Sequence, residues 1–499
     1  MKDCPNASGE KSGLVRGIDR PTLHIHTGTH CPPHVYFSFT SELLPSMRSI
    51  FRGSLIGRDP MRFGIRSSLT AIACLFLSQL GNVNLQAQTE FFAESSRALK
   101  EGNRLLAVDL MTKGLQKMPG MENVANQYLP LISDYEPVTP FDQTVVRAPA
   151  NKAYVAGLSQ VIGELERQEA LMAIVDAAKD RQIVILNEAH DCPQHRAFGL
   201  LLAAELKKIG FEFLAMETLV GPDGNSGVLN LDYPKLDTGY YSAEPVFGDF
   251  VREAARLGYQ LVAYEIESGQ RQVDAQADPV DSIRERENAQ SDNLIQHVLK
   301  PHPKTKLFVY VGYSHATEHW EPQDDGSDLG WMAAQIQKKT GIDPLTIDQV
   351  GGSYNPKNQQ IDPVLSLLQK DAAIQQPCVL RQESGEWLSS DGYYHKTDMT
   401  VFHPIQKMLD GRPNWLRMNG YRKAHPFQNK DYYLGDKTLV QAYRIDEGEG
   451  ALPVDQVLLE TPDGEAMLLL PEGKYRTVSQ TIDGTIKDGP KLTIQPSPR

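Results

Sequence analysis

The sequence predicts an α/β protein: a mostly parallel sheet flanked by helices, with an N-terminal helical hairpin and a small C-terminal antiparallel β domain. Three observations predict it. Four apolar runs in the middle of the chain (RQIVILNEAH, FEFLAMET, QLVAYEIE and LFVYVGYSH) have the length and composition of buried strands. Segments of helical length separate them, the alternation that builds parallel sheets. After residue 430 the pattern changes to short runs spaced by roughly ten residues and broken by Gly, Pro and Asp, as in small antiparallel sheets.

Taken in order, residues 88–140 read as a helical hairpin. AESSRALKEGNRLLAVDLMTKGLQKMP carries Gly102, Ala107 and Pro119 at the spacing of one tetratricopeptide-like unit. No second copy follows, so the segment is expected to pack on the main domain rather than stack into a partner-binding array. A Pro-containing linker leads to the α/β domain, residues 150–428. There GLSQVIGELERQEALMAIVDAAKD reads as one helix before the first strand, and HRAFGLLLAAELKKIG as a helix ending at Gly210. The stretch GPDGNSGVLNLDYPKLDTGYYS after the second strand reads as a long loop, a common builder of pockets. Helices EPVFGDFVREAARLG, DSIRERENAQSDNLIQHVLK and LGWMAAQIQKKTG complete the alternation, with DPLTIDQV as a further strand. Residues 430–499 form the accessory β domain.

The composition narrows the class. At 499 residues the chain accommodates several domains, and 40% hydrophobic with 23% charged residues is a globular balance. A net charge of −13 with no basic stripe argues against nucleic acid and leaves a small molecule or peptide as the expected partner. Met61 opens MRFGIRSSLTAIACLFLSQLGNVNLQAQTE, where Arg62 and Arg66 precede an apolar run from Leu69 to Leu77 and small residues lead to Ala87. This is the layout of a signal peptide over 61–87, with an apolar run too short to span a bilayer. The expected product is exported, periplasmic or extracellular, without a transmembrane helix. A lipoprotein anchored at Cys74 fits less well, because Ala71-Ile72-Ala73 departs from a lipoprotein box. Residues 1–60 then read as an upstream mis-start, which sets aside the metal-like group His24, His26, His30, Cys31 and His34. Cys4, Cys31 and Cys74 leave with that part. Cys192 and Cys378 remain, as one disulfide or as two buried thiols.

The chemistry-bearing residues sit at the strand ends. The first strand closes on Glu188 and His190, the second on Glu217, the third on Glu265 and Glu267, and the fourth on His315. Ligands of open parallel sheets bind beyond the carboxyl ends of the strands. Glu188 and His190, two apart, can share a side, and a carboxylate beside an imidazole fixes its tautomer and raises its basicity. The same pair alone also suits a surface turn. Glu217 ends an apolar strand and needs a histidine, arginine or metal as partner. Glu265 offers the same chemistry one strand on, while Glu267 lies further into the loop. Arg284 and Glu285 are placed in the first turn of the helix DSIRERENAQ, with Arg284 reaching back as an anion fork and Arg286 on another, solvated face. The whole RERE stretch also suits an exposed charged face. Gly312 permits close backbone approach before His315, and His319 belongs to the pocket wall. No P-loop, GxSxG, CxxC or HExxH motif is present.

Together, NEAHDCPQH, ETL, RERENA and VGYSHA resemble the superfamily that joins erythromycin esterases, ChaN-type haem-binding lipoproteins and Tiki-type proteases. The resemblance covers about residues 180–350. It implies a site of Glu188 with His190, Glu217, Arg284 with Glu285, and His315. The Glu-x-His spacing and His195 look more like the ChaN branch, the Arg-Glu helix more like the esterases. Asn187 stands where the family usually has Gly. Members differ in chemistry, so two readings follow. One is a secreted hydrolase of an ester, lactone or amide, with His190 as base, Glu188 or Glu217 orienting it, and Arg284 with His315 on the oxyanion. A metal-dependent version takes His190, His315, Glu188 and Glu217 as ligands of a divalent ion. The other is a haem- or iron-binding protein, with Tyr240, Tyr241, His195 or His319 as axial ligands.

Overall fold

The computed structural model describes residues 85–116, 126–135, 145–146, 162–272, 278–323, 325–354, 360–371, 374–390 and 396–496. The expected mis-start, the signal peptide up to residue 84 and the N-terminal histidine group lie outside them. Its frame is a seven-stranded sheet made of β1 (Ile183–Glu188), β2 (Phe211–Met216), β3 (Gly227–Leu229), β4 (Gln260–Ala263), β5 (Lys306–Gly312), β6 (Leu345–Asp348) and β7 (Met399–Thr400). The order across the sheet is β7-β6-β1-β5-β2-β4-β3, and only the edge strand β3 runs antiparallel to its neighbour.

Alternation of side chains explains why these runs are apolar throughout. Val184, Leu186, Leu214, Phe308 and Tyr310 enter the core on one face, while Ile183, Ile185, Phe213, Val309 and Val311 enter the core on the other. Helices α3 (Pro193–Lys208) and α4 (Pro245–Arg256) cover the first face. Helices α5 (Pro279–Leu294) and α6 (Met332–Thr340) cover the second. Each fully buried aliphatic side chain contributes about 1.5–3 kcal/mol relative to exposure. Gly210 follows α3 at φ +90°, the left-handed end expected of it.

At the N-terminal side, α1 (Leu85–Lys100) and α2 (Arg104–Leu115) form a hairpin. A Cβ on Gly114 of α2 would lie 2.4 Å from the Phe91 ring, so glycine sets the closeness of the two helices. At the C-terminal side, β9 (Thr438–Arg444), β10 (Asp455–Leu459), β12 (Gly473–Thr481) and β13 (Ile486–Ile494) form an antiparallel sheet in the order β10-β9-β12-β13. A separate pair joins β8 (Lys423–Gln428) to β11 (Glu465–Leu470). Strand β8 therefore pairs across the boundary expected near residue 430.

Two local expectations are corrected. Glu166–Glu169, read as helix, is a strand paired with Cys378–Arg381, and the helix begins only at Ala170 with the Glu169 side chain as its cap. The long loop after β2 contains β3 and a 3₁₀ turn, Tyr241–Ala243. Of the two alternatives left open for Cys192 and Cys378, the structure shows two free, buried thiols. Among the described residues, no helix is long and apolar enough to cross a membrane.

Candidate active site

Adjacent parallel strands deliver the site. In the β1–β5 register Glu188 lies opposite Gly312, and β2 flanks β5 on its other side, ending at Met216 opposite Tyr310. Glu188 is buried. It accepts from Arg196 through Nε at 2.8 Å and Nη2 at 3.1 Å, and from the Tyr310 hydroxyl at 3.0 Å. His190 Nδ1 lies 3.0 Å from Glu188 Oε1, so the Nδ1 proton is donated to the carboxylate. Burial alone would raise the Glu188 pKa, but the Arg196 charge and the hydrogen bonds from His190 and Arg196 outweigh it and lower it.

The Nδ1–H tautomer leaves the His190 Nε2 lone pair free for chemistry. The ring is held from two sides. Tyr241 stacks on it, 4.0 Å between centroids at 17°, and Tyr313 meets it edge-on at 4.9 Å. A Cβ on Gly312 would lie 2.7 Å from His190 Nε2 and 3.0 Å from Glu217 Oε2. The bare Gly312 backbone is thus the floor on which base and carboxylate meet. Tyr313, next in the chain, adopts φ +40°, a strained turn secured by Asn187 Nδ2 bonding its carbonyl at 3.0 Å. Asn187 also binds Asp348 Oδ1 at 2.8 Å, which ties the turn to the end of β6.

Glu217 Oε2 accepts from Gly312 N at 2.5 Å, and Oε1 is paired with Arg286 Nη2 and lies 3.5 Å from His315 Nε2. Burial opposes ionisation of Glu217, yet His315 and Arg286 hold its pKa well below the usual carboxylate value. Arg286 also grips Glu265 through Nε at 3.0 Å and Nη2 at 2.5 Å, and its Nη1 approaches His315 Nε2 at 3.0 Å. His315 Nδ1 faces the buried Glu287, 2.8 Å from Oε1 and 2.9 Å from Oε2. Burial would lower the His315 pKa, but Glu287 and Glu217 override it and raise it to about 10. The ring is therefore charged at neutral pH, and its approach to Arg286 sets two cations side by side amid Glu217, Glu265 and Glu287. His190 keeps 13% of its side-chain exposure, Arg286 28% and Glu265 31%, so the cluster opens to solvent at these three.

The structure brings together Glu188, His190, Glu217, Glu265 and His315. It does not bring Arg284 or Glu285 there. Arg284 pairs with Asp281 at 2.5 Å and Ser327 Oγ at 2.6 Å, while Glu285 accepts from Gln272 N at 2.5 Å. Arg286 and Glu287, two positions on, turn inward instead; Arg286, expected in solvent, is the central cation. The reason is helical phase. Glu287, Gln290 and Leu294 share the buried face of α5, and Arg286 Nη2 and Gln290 Nε2 both bond Glu265. Glu267 is engaged with Ser226 through Oε1 at 2.5 Å, outside the cluster. His195 is buried with both ring nitrogens occupied, Nδ1 accepting from Ala189 N at 3.0 Å and Nε2 lying 2.7 Å from Ser353 Oγ, so it has no lone pair for iron. Tyr241 faces His190, Tyr240 meets Tyr241 edge-on at 5.1 Å, and His319 is exposed.

The sequence reading missed Arg196 and Glu287, placed Arg286 in solvent, and named Tyr241 only as a haem ligand. The expected metal set does not form a cage: both Glu188 oxygens and both Glu217 oxygens already accept hydrogen bonds. Among the described residues no group of three or more His, Cys, Asp or Glu side chains is arranged to hold a metal ion.

No family model matches the chain, and no curated protein does. Solved structures similar to part of it include two described as bacterial protein toxins. One, described as "Crystal structure of bacterial protein toxins", has 14% identity over 47% of this chain and 46% of that one, with a TM-score of 0.26. The other, described as "Bacterial protein toxins", has 13% identity over 50% and 55%, with a TM-score of 0.27. The chain thus spans about half the length of each. A likeness this slight carries no information on activity.

Proposed function

We propose that the chain is an exported hydrolase of an ester, lactone or amide, belonging with the erythromycin esterase, ChaN and Tiki superfamily that its motifs resemble. One observation carries the reading: His190 is fixed by Glu188 at 3.0 Å with its Nε2 left free above Gly312, beside Glu217. A water there donates one hydrogen to His190 Nε2 and the other to Glu217, which aims an oxygen lone pair outward. As that oxygen attacks a substrate carbonyl, His190 takes the proton and Glu188 stabilises the imidazolium. The developing oxyanion is met by Arg286 and the charged His315, the role expected of Arg284 in the sequence. The C–O or C–N bond then breaks, and the leaving group takes its proton from His190. The signal-like segment at 61–87 supports export.

The test is hydrolysis of a panel of esters, lactones and amides by the purified protein and by His190→Asn. Loss of activity by about 10²–10⁴-fold in the variant supports the proposal. No turnover of any panel member, or a His190→Asn variant as active as the parent, overturns it.

A further inference from the structure

The N-terminal hairpin inserts an arginine into the back of the site. Arg104, the first residue of α2, is 2% exposed, and its Nη1 donates to the carbonyl of Ala243 at 2.8 Å. Burying a guanidinium is costly unless it is bonded, and Arg104 has a second partner in Tyr443 of β9. Ala243 closes the 3₁₀ turn that begins with Tyr241, the ring stacked on His190.

Further bonds fix the same turn. Glu244, which follows it, caps α4 through Val246 N and Phe247 N at 2.9 and 2.8 Å. Its carboxylate also accepts from the Tyr135 hydroxyl at 3.2 Å and from Arg196 at 3.3 Å. Arg196 is the residue that holds Glu188. The turn is therefore gripped on one side by Arg104 and Tyr135 and on the other by the Arg196–Glu188–His190 chain. At its outer end Tyr241 bonds Gln127 at 3.4 Å, and Tyr240 meets Tyr128 edge-on.

The C-terminal sheet backs this grip. Leu105, Val108 and Leu131 share an apolar cluster with Ala243 and with Leu439 of β9. Gln456 of β10 bonds the Leu131 carbonyl at 2.6 Å, and Asn103 bonds the Ile482 carbonyl at 3.0 Å. Leu105 and Val108 of the hairpin are thus packed inside the molecule.

We infer that Arg104 is a positioning residue for His190, acting through the Ala243 carbonyl to hold Tyr241 flat against the imidazole, and that the N-terminal hairpin and C-terminal sheet together are part of the site's framework. This rests on His190 being the working residue of the site.

The test uses the full chain with selectively labelled histidine and tyrosine, reading the NMR cross-peaks between the His190 and Tyr241 rings, assigned with Tyr241→Leu. Arg104→Met keeps the length of the side chain and removes its donors. Loss of the cross-peaks in a folded Arg104→Met protein, with their return in Arg104→Lys, is the expected result. Cross-peaks that persist unchanged in Arg104→Met overturn the inference and leave Arg104 a purely structural residue. Should that variant fail to fold, Tyr135→Phe, which keeps the ring and removes one bond to Glu244, is read by the same criterion. Hydrolysis is assayed separately on the same samples. A wild type without hydrolytic activity but with an Arg104-dependent stack defeats only the proposed function; an active wild type with an Arg104-independent stack defeats only this inference.

Discussion

Arg196 holds Glu188 through two hydrogen bonds, and both side chains are almost wholly withdrawn from water. The pair anchors the base of the site, since Glu188 in turn holds His190. Removing Arg196 leaves the buried Glu188 carboxylate without its guanidinium, and Glu188→Gln leaves the buried Arg196 charge with Glu244, at 3.3 Å, as its remaining carboxylate. Glu188→Gln and Arg196→Met are each expected to destabilise the fold by about 3–5 kcal/mol. Urea unfolding of the two variants against the parent measures this; a loss under 1 kcal/mol would contradict the pairing.

Gly312 is expected to tolerate no side chain. Its φ of −87° is open to any residue, so the constraint is space alone. The added methyl of Gly312→Ala would meet His190 Cε1 at 2.4 Å, and overpacking of this kind costs about 1–3 kcal/mol. Because the displaced group is the proposed base, hydrolysis under the proposed function should fall much further than stability does. Equal catalytic rates in variant and parent would show that the imidazole does not need this seat.

Arg286 and Arg284 are expected to separate cleanly. Arg286→Lys cannot reproduce a fork that grips Glu217 and Glu265 together, so it should impair the site although the charge is kept. Arg284→Ala removes a partly exposed pair with Asp281 and should change stability by no more than about 1 kcal/mol. Parallel activity and melting measurements decide between them. An Arg284 variant that loses activity while Arg286→Lys retains it would return the role to the residue first expected.

His315 should make stability depend on alkaline pH. Its folded pKa is raised to about 10 from an ordinary 6.5, so the folded state binds the proton more tightly than the unfolded chain. That stabilisation is complete below about pH 6.5 and is lost as the pH rises through about 10. Urea unfolding at pH 6, 8 and 10.5 should show the parent losing more stability over this window than His315→Gln. Parallel curves for the two proteins would mean that the ring is not held charged.

Strands were the most legible feature of the sequence, because β1, β2, β4 and β5 are buried on both faces and read as continuous apolar runs. The residues at their ends were legible for the same reason: an acid or histidine directly after such a run stands out. Arg286 and Glu287 were not. In RERE the two Arg-Glu pairs are chemically identical, and the choice between them is set by the phase of a helix that starts at Pro279 and buries Glu287, Gln290 and Asn293. Polar residues buried through pairing leave no apolar period to read. Arg196 looked like an ordinary charge early in a helix. Tyr241 was named only as a haem ligand, because the 3₁₀ turn that brings it to His190 depends on Arg104, Tyr135 and Thr218, all distant in sequence.

The interposition of β5 between β1 and β2 sets a charge spacing. Two strand widths, roughly 9–10 Å, separate the backbones that carry Glu188 and Glu217. Carboxylates forced into contact must share a proton, as one ionisation suppresses the next. Here a strand ending in glycine keeps them apart, and each has its own arginine, so both remain anionic together. The sheet order thereby gives His190 an ionised neighbour on either side, the arrangement the proposed hydrolysis would use.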